Sequence, residues 1–250
     1  MTKIAILIPT YNEAVSIVEL LEKLKQFRKN SNQNFDVIVI DDNSPDGTAD
    51  IVDNLNIDWV SLLRRPGKGG LGAAYRAGFV QVLANSNYSH VITMDADGSH
   101  RVEDLEKMIS AIEPGKLIVL GTRWIPGGSV VNWPKRRQYL SRAGTAYAKL
   151  ALRIPLNDLT GGFRVYSVEL LKSLNLVDMQ ATGYCYQIEM ALAAHLAGAK
   201  EIEVPITFVE RINGVSKMSQ AIVIEALVQT TRWGFSRTFR PNADKLHYVK

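Results

Sequence analysis

A single cysteine, Cys185, among 250 residues excludes any disulfide within the chain. Long apolar runs are missing too. No stretch approaches the ~20 consecutive apolar residues that span a bilayer. The run Ile4–Ile8 is too short for a signal-peptide core and meets Pro9 without a cleavage pattern. These absences lead us to expect a soluble or peripheral protein in the cytoplasm. Excess charge of one sign is scarce, with a formal net charge of +4. A nucleic-acid binder would need a denser basic stripe interleaved with aromatics, so no nucleic-acid partner is expected. The phosphate-binding GxxxxGK[ST] spacing and the dinucleotide GxGxxG fingerprint are both absent. Lys68-Gly69-Gly70-Leu71-Gly72 resembles such a loop only superficially, and reads as a loop packing near a diphosphate. There is no internal repeat, low-complexity segment or linker.

What remains is enough apolar sequence, 46% of residues, for one α/β domain with a full core. Ile4–Ile8, Val37–Ile40, Trp59–Leu63 and Val91–Met94 read as buried strands. Between them, Glu13–Phe27 places Val15, Val18, Leu21, Leu24 and Phe27 on a helix, and Gly72–Leu83 forms another. Thr48 reads as a helix cap. This alternation implies a Rossmann-like, doubly wound, mostly parallel sheet flanked by helices. The second half is less regular. Leu117–Leu120 is a strand, 124–137 a loop, and Ser141–Leu152 a helix. Asp158–Arg164 is a loop, Tyr186–Leu196 a helix, and Glu201–Phe208 a strand interrupted by Pro205. Residues 219–235 form a final amphipathic helix. Residues 1–218 are thus the expected main domain, and 219–250 a C-terminal amphipathic helix and tail.

Ligands of such sheets bind beyond the carboxyl ends of the strands. Three polar motifs fall there. Asp95-Ala96-Asp97 offers two carboxylates across a small residue, hard oxygen ligands suited to Mg²⁺ or Mn²⁺. Such an ion can bridge a diphosphate and neutralise it as it leaves. Ser99 is a candidate third ligand, directly or through water. Asp41-Asp42 ends the second strand, where a carboxylate can accept from a base or ribose or simply cap a loop. Pro9-Thr10-Tyr11-Asn12-Glu13 supplies backbone groups and an aromatic edge, and Glu13 also suits the helix dipole. The basic residues cluster at Arg123–Arg142, Arg211–Lys217 and Arg232–Arg240, which fits a phosphate-bearing ligand or an anionic membrane surface.

Taken together, Ile8–Glu13, Asp41–Thr48 and Met94–His100 resemble the family-2 glycosyltransferases of GT-A fold. Gly121-Thr122-Arg123, Asn132-Trp133-Pro134, Arg137, Asp158–Arg164 (DLTGGFR) and Arg211–Lys217 narrow the resemblance to the dolichol/polyprenol-phosphate mannose synthases. It covers roughly residues 4–235. Two departures stand out. Ser99 replaces a frequent Gln, and the transmembrane helices that follow this domain in some relatives are absent. The resemblance implies GDP-mannose as donor and a polyprenyl (dolichyl-type) monophosphate as acceptor. It implies inverting transfer, giving a β-linked polyprenyl phosphate mannose. Pro9, Tyr11, Glu13, Asp42, Asp95 and Ala96 would hold the donor nucleotide. Asp95, Asp97 and Ser99 would hold the metal. Arg123, Arg137, Arg211 and Lys217 would hold the acceptor phosphate, with Asp97 and Arg123 central to catalysis.

A lipid acceptor requires contact with a membrane. Ile222, Val223, Ala226, Leu227, Thr230 and Trp233 form an apolar stripe on the last helix, with Arg232, Arg237 and Arg240 near its end. Such a helix can lie in the membrane interface while packing partly on the domain. A separate membrane subunit is the alternative route to the lipid. Rival readings are the same fold using UDP-glucose or UDP-N-acetylglucosamine, and a non-catalytic nucleotide-sugar or polyprenyl-phosphate binding protein.

Overall fold

The structure is a computed structural model that describes residues 3–31, 33–85, 87–179, 181, 183, 185–211, 220–239 and 247–250. Its first half runs β1 (Lys3–Thr10), α1 (Ala14–Ser31), β2 (Phe35–Asp41), α2 (Thr48–Asn54), β3 (Val60–Arg64), α3 (Leu71–Leu83) and β4 (Tyr88–Thr93). A 3-10 turn (Val102–Asp104) leads into α4 (Leu105–Ser110), then β5 (Leu117–Thr122), β6 (Ser129–Val131) and α5 (Lys135–Leu152). The rest is β7 (Arg164–Ser167), α6 (Val168–Ser173), α7 (Cys185–Leu196), β8 (Lys200–Pro205), β9 (Thr207–Val209) and α8 (Gln220–Phe239).

Seven strands form one sheet in the order β3-β2-β1-β4-β7-β5-β8. Every neighbouring pair is parallel except the two made by β7, which runs antiparallel to β4 and β5. Successive strand residues point to opposite faces, so both faces must be apolar. On β1, Ala5 and Leu7 enter the core shared with α3, α6 and α7, while Ile4, Ile6 and Ile8 enter the core shared with α1 and α4. β6 and β9 pair in a small second sheet.

Several expectations need correction. In α1 the buried residues are Ile17, Leu20, Leu21 and Leu24, while Val15 is 64% exposed and Val18 38%. A series spaced strictly by three drifts off one face, because a turn takes about 3.6 residues. Thr48 does not cap α2. Gly47, at φ 80°, occupies that position, and the Thr48 hydroxyl instead accepts from the Glu13 amide at 3.1 Å. α5 starts at Lys135, after Pro134, rather than at Ser141. β7 begins at Arg164, within the segment read as a loop, and the strand expected to run through Pro205 breaks at Ile206 into two sheets.

α8 packs along α5 so closely that a Cβ on Gly234 would lie 2.7 Å from Ala151 O. Beyond it, Tyr248 is 2% exposed, and its carbonyl accepts from the Asn175 amide at 2.9 Å. No helix among the described residues is long and apolar enough to cross a membrane. Cys185 lies in the core, where burial pushes its thiol up to about 12 and disfavours the thiolate.

Candidate active site

The carboxyl ends of β1, β2 and β4 open on one side of the sheet. Thr10 stands opposite Asp41 in the β1–β2 register, and the Asp42 amide donates to Thr10 O at 3.1 Å. A cavity of about 350 Å³ lies over these ends. Pro9, Tyr11, Glu13, Asp42, Asp95 and Ala96 all line it, so the structure brings the whole expected donor set together.

The two polar loops lock each other. Ser44 Oγ accepts from the Asn12 amide at 3.1 Å, and Asp46 Oδ2 from the Ala14 amide at 3.1 Å. Burial favours the neutral acid at Asp46, but hydrogen bonds from Thr48 and from the Ala14 and Thr48 amides outweigh it and hold the carboxyl below its usual range. The aspartate pair divides its work. Asp41 is 1% exposed and accepts from the Thr10 hydroxyl at 2.9 Å and the Ser44 amide at 2.8 Å, which makes it the loop-capping member. Asp42 lines the cavity. It accepts from Arg65 and, at 3.0 Å, from the Gly69 amide, so it anchors the glycine-containing loop against the site. That anchoring places Lys68 Nζ 4.2 Å above the Tyr11 ring. The Lys68–Gly72 loop thus packs at this cavity, as its sequence suggested, whereas sequence reasoning missed Arg65, since an isolated cation carries no period.

Asp95-Ala96-Asp97 follows β4 at the mouth of the cavity. The Ser99 amide donates to Asp97 Oδ1 at 3.0 Å, and Arg211 Nη2 lies 3.2 Å from Asp97 Oδ2. Ser99 is 1% exposed, lines neither this cavity nor its neighbour, and its hydroxyl has no hydrogen-bond partner among the described residues. Through its backbone it positions Asp97.

A second cavity of about 400 Å³ adjoins the first and shares Leu71, Asp95 and Arg211 with it. Arg123 and Arg137 stand on its wall with Arg211, so three of the four expected acceptor cations meet there. The fourth, Lys217, lies outside the described residues, as does Arg240. Each of the three already holds a carboxylate. Arg123 grips Asp158 through Nε at 2.6 Å and Nη2 at 2.7 Å, and its guanidinium lies 5.2 Å from the Trp133 ring centroid. Arg137 Nη1 donates to Glu210 at 2.6 Å, and its guanidinium Cζ lies 4.1 Å from the Trp133 centroid. Arg211 holds Asp97. Burial would raise the Asp158 pKa, but the charge and hydrogen bonds of Arg123, with help from Arg164, pull it below the usual value.

The wall formed by α5 and α8 is largely apolar. Leu140 and Tyr147 of α5 and Val223, Ala226 and Leu227 of α8 line it. Most of the stripe expected on the last helix therefore faces this cavity, while Trp233 packs on the core. A polar niche with three arginines under an apolar roof can take an anion attached to an apolar tail.

The glycosyl transferase family 2 model matches residues 5–174. A polyprenol monophosphomannose synthase of Mycolicibacterium smegmatis is 39% identical over 232 residues, 92% of this chain and 86% of that protein. An undecaprenyl-phosphate mannosyltransferase of Micrococcus luteus is 42% identical over 236 residues, 94% of this chain and 95% of that protein. Among solved structures, mannosyl-3-phosphoglycerate synthase from Rubrobacter xylanophilus matches with TM-score 0.66 at 16% identity, covering 97% of this chain and 75% of that one. Glucosyl-3-phosphoglycerate synthase from Mycobacterium tuberculosis, in complex with Mn²⁺ and UDP-glucose, matches with TM-score 0.65 at 18% identity, covering 92% and 79%. At those identities the solved structures speak for the fold alone.

Proposed function

The chain belongs to glycosyl transferase family 2 and is a glycosyltransferase, and on that premise we propose that it transfers mannose from GDP-mannose to a polyprenyl monophosphate. The observation that carries the proposal is the pair of cavities meeting at Asp95 and Arg211, one polar and lined by the nucleotide-type loops, the other apolar with three arginines. The names of the two curated relatives support both the sugar and the lipid phosphate.

The chemistry follows from the acceptor. A phosphate monoester has its second pKa at about 6, so it is largely dianionic at neutral pH and attacks without a general base. Its oxygen bonds to the anomeric carbon as the bond to GDP breaks on the opposite face, which inverts the configuration and gives a β-linked product. Arg123, Arg137 and Arg211 bring one anion beside another, and guanidinium forks suit phosphate oxygens. Catalysis is then mostly positioning and charge stabilisation.

Asp95 and Asp97 fit a divalent cation, Mg²⁺ or Mn²⁺, by their hard oxygen donors. Mn²⁺ in the tuberculosis synthase of similar fold supports this. When bound, the ion would neutralise the departing diphosphate. Ser99 supports Asp97 and is not needed as a direct ligand.

The lipid tail leaves along α5 and α8, where Leu150 is 80% exposed, Ile224 60%, and Phe235 and Phe239 66% each. Arg136 and Arg142 are also exposed on α5, and this surface suits peripheral association with the cytoplasmic face of a membrane, where a soluble donor and an embedded acceptor can meet.

The test supplies labelled GDP-mannose, UDP-glucose or UDP-N-acetylglucosamine separately with a polyprenyl phosphate and Mn²⁺, followed by organic extraction. Label enters the organic phase only from GDP-mannose. Transfer from a uridine donor instead would overturn the donor assignment.

A further inference from the structure

His100 and Gln187 stand on the polar floor of the second cavity beside Asp95, and the reaction described above gives them no task. They are 1% and 2% exposed. His100 Nε2 and Gln187 Nε2 are both buried without a hydrogen-bond partner among the described residues. An unpaired buried polar group costs free energy, so two at one site call for a partner from outside the chain. The His100 ring accepts from the Asp95 amide through Nδ1 at 3.0 Å, which puts its proton on Nε2 and makes that atom a donor. Asp95 Oδ2 lies 3.7 Å from it, beyond hydrogen-bond reach.

The two side chains border one small space, and Gly162 keeps it open. A methyl group on Gly162 would sit 3.4 Å from Gln187 Nε2, 3.5 Å from His100 Cε1 and 3.7 Å from Asp95 Oδ1. The walls of this space are held firmly. Thr93 Oγ1 donates to Gly162 O at 2.7 Å. The buried guanidinium of Arg164 donates to Gly161 O at 2.9 Å and Gln187 O at 2.6 Å, tying the glycine loop to α7. His100 stacks on Phe163 with ring centroids 5.2 Å apart. Side chains fixed around a gap bind with little ordering cost.

We infer that His100 Nε2, Gln187 Nε2 and the gap over Gly162 form the subsite that reads the hydroxyls of the transferred hexose. This rests on the nucleotide-sugar reading above, because the sugar must sit where the two cavities meet, and Asp95 is common to both. Hydroxyls accept and donate at once. Each can take a hydrogen bond from a buried nitrogen and return one toward Asp95 Oδ1. A donor left unpaired by a missing hydroxyl rejects that sugar, so the subsite confers specificity as well as affinity.

Calorimetric binding of GDP-mannose and of GDP, each with Mn²⁺, to wild type, Gln187→Met and Gly162→Ala tests this. Gly162→Ala is a mild probe, since its methyl meets its neighbours at ordinary contact distances. Each variant is expected to weaken GDP-mannose about tenfold or more and GDP by less than about twofold, Gln187→Met through the loss of one buried hydrogen bond to the sugar and Gly162→Ala by filling the gap that a hydroxyl would occupy. Equal weakening of both ligands, or no weakening of either, overturns the subsite. Melting temperatures of the variants show that the fold survives. If wild type binds UDP-glucose and not GDP-mannose, the donor assignment falls, and the same ratio with UDP-glucose and UDP decides the subsite.

Discussion

Arg211 Nη2 lies 3.2 Å from Asp97 Oδ2, with side chains only 12% and 8% exposed. A cation from the acceptor cavity thus holds a carboxylate wanted by the metal. On the proposed reading the two uses compete, and a divalent cation that displaces Arg211 from Asp97 frees the guanidinium for the acceptor phosphate. Arg211→Ala should tighten Mn²⁺ binding to the unliganded protein about fivefold, corresponding to ~1 kcal/mol of lost competition. The same variant should raise the KM for the lipid phosphate. Paramagnetic titration of Mn²⁺ measures the first effect, and weaker binding in the variant would refute the competition.

Two carboxylates leave most of a hard cation's coordination shell to other oxygens. Among the described residues no group of three His, Cys, Asp or Glu can hold a metal. If Asp95 and Asp97 hold the proposed cation, diphosphate oxygens and water are the ligands expected to complete the shell. Mn²⁺ should therefore bind weakly alone and about tenfold or more tightly with GDP, and GDP should gain the same factor from Mn²⁺. Asp97→Asn, which keeps the side-chain shape and a hydrogen-bond acceptor for the Ser99 amide, should abolish this coupling and transfer while leaving the melting temperature near that of wild type. Full activity in that variant would remove the metal assignment.

The Arg123–Asp158 pair is the buried counterpart. Both side chains are nearly inaccessible, at 5% and 0% exposure. Removing one partner strands the other charge, so Asp158→Ala should cost about 3–5 kcal/mol in denaturant unfolding. The pH dependence has a definite sign. Asp158 has its pKa lowered on folding, so the unfolded chain takes up its proton first as pH falls. Its stabilisation is complete above the ordinary value of 3.8 and declines as pH drops below it. Asp46 adds to the same decline. Acid unfolding of Asp158→Asn should be correspondingly less steep in that window.

The parts of this architecture that were legible in the sequence share a cause. β1, β2 and β4 have cores buried on both faces, so they read as apolar runs, and their polar ends carry the candidate donor residues in contiguous motifs. β7 was not legible, because four residues beginning with an arginine show no period. Arg164 is buried there only because the carbonyls of Leu159, Gly161 and Gln187 converge on it from two other segments. The pairings of Arg123, Arg137 and Arg211 with carboxylates join distant positions, so the sequence showed the cations and not their neutralisation. Gln187 sat unnoticed inside an apolar helix, where one polar residue looks like a gap in the stripe.

Deleting residues 219–250 would not isolate a membrane role, because α8 lines the second cavity and Tyr248 is buried in the core. Point substitutions on the outer face separate the two. Leu150, Phe235 and Phe239 are exposed, and none of them lines that cavity. Their insertion at an interface would remove apolar surface from water, about 1.5–3 kcal/mol for each fully buried side chain. The triple variant Leu150→Glu, Phe235→Glu, Phe239→Glu loses that gain and adds repulsion from anionic lipids. Its sedimentation with vesicles of anionic phospholipid should fall by more than about tenfold, since even partial insertion of three such groups exceeds ~1.4 kcal/mol. The KM for vesicle-embedded polyprenyl phosphate should rise in parallel, with the melting temperature unchanged because these side chains face solvent. Undiminished vesicle binding by a folded triple variant would move the membrane contact elsewhere, or onto a separate subunit.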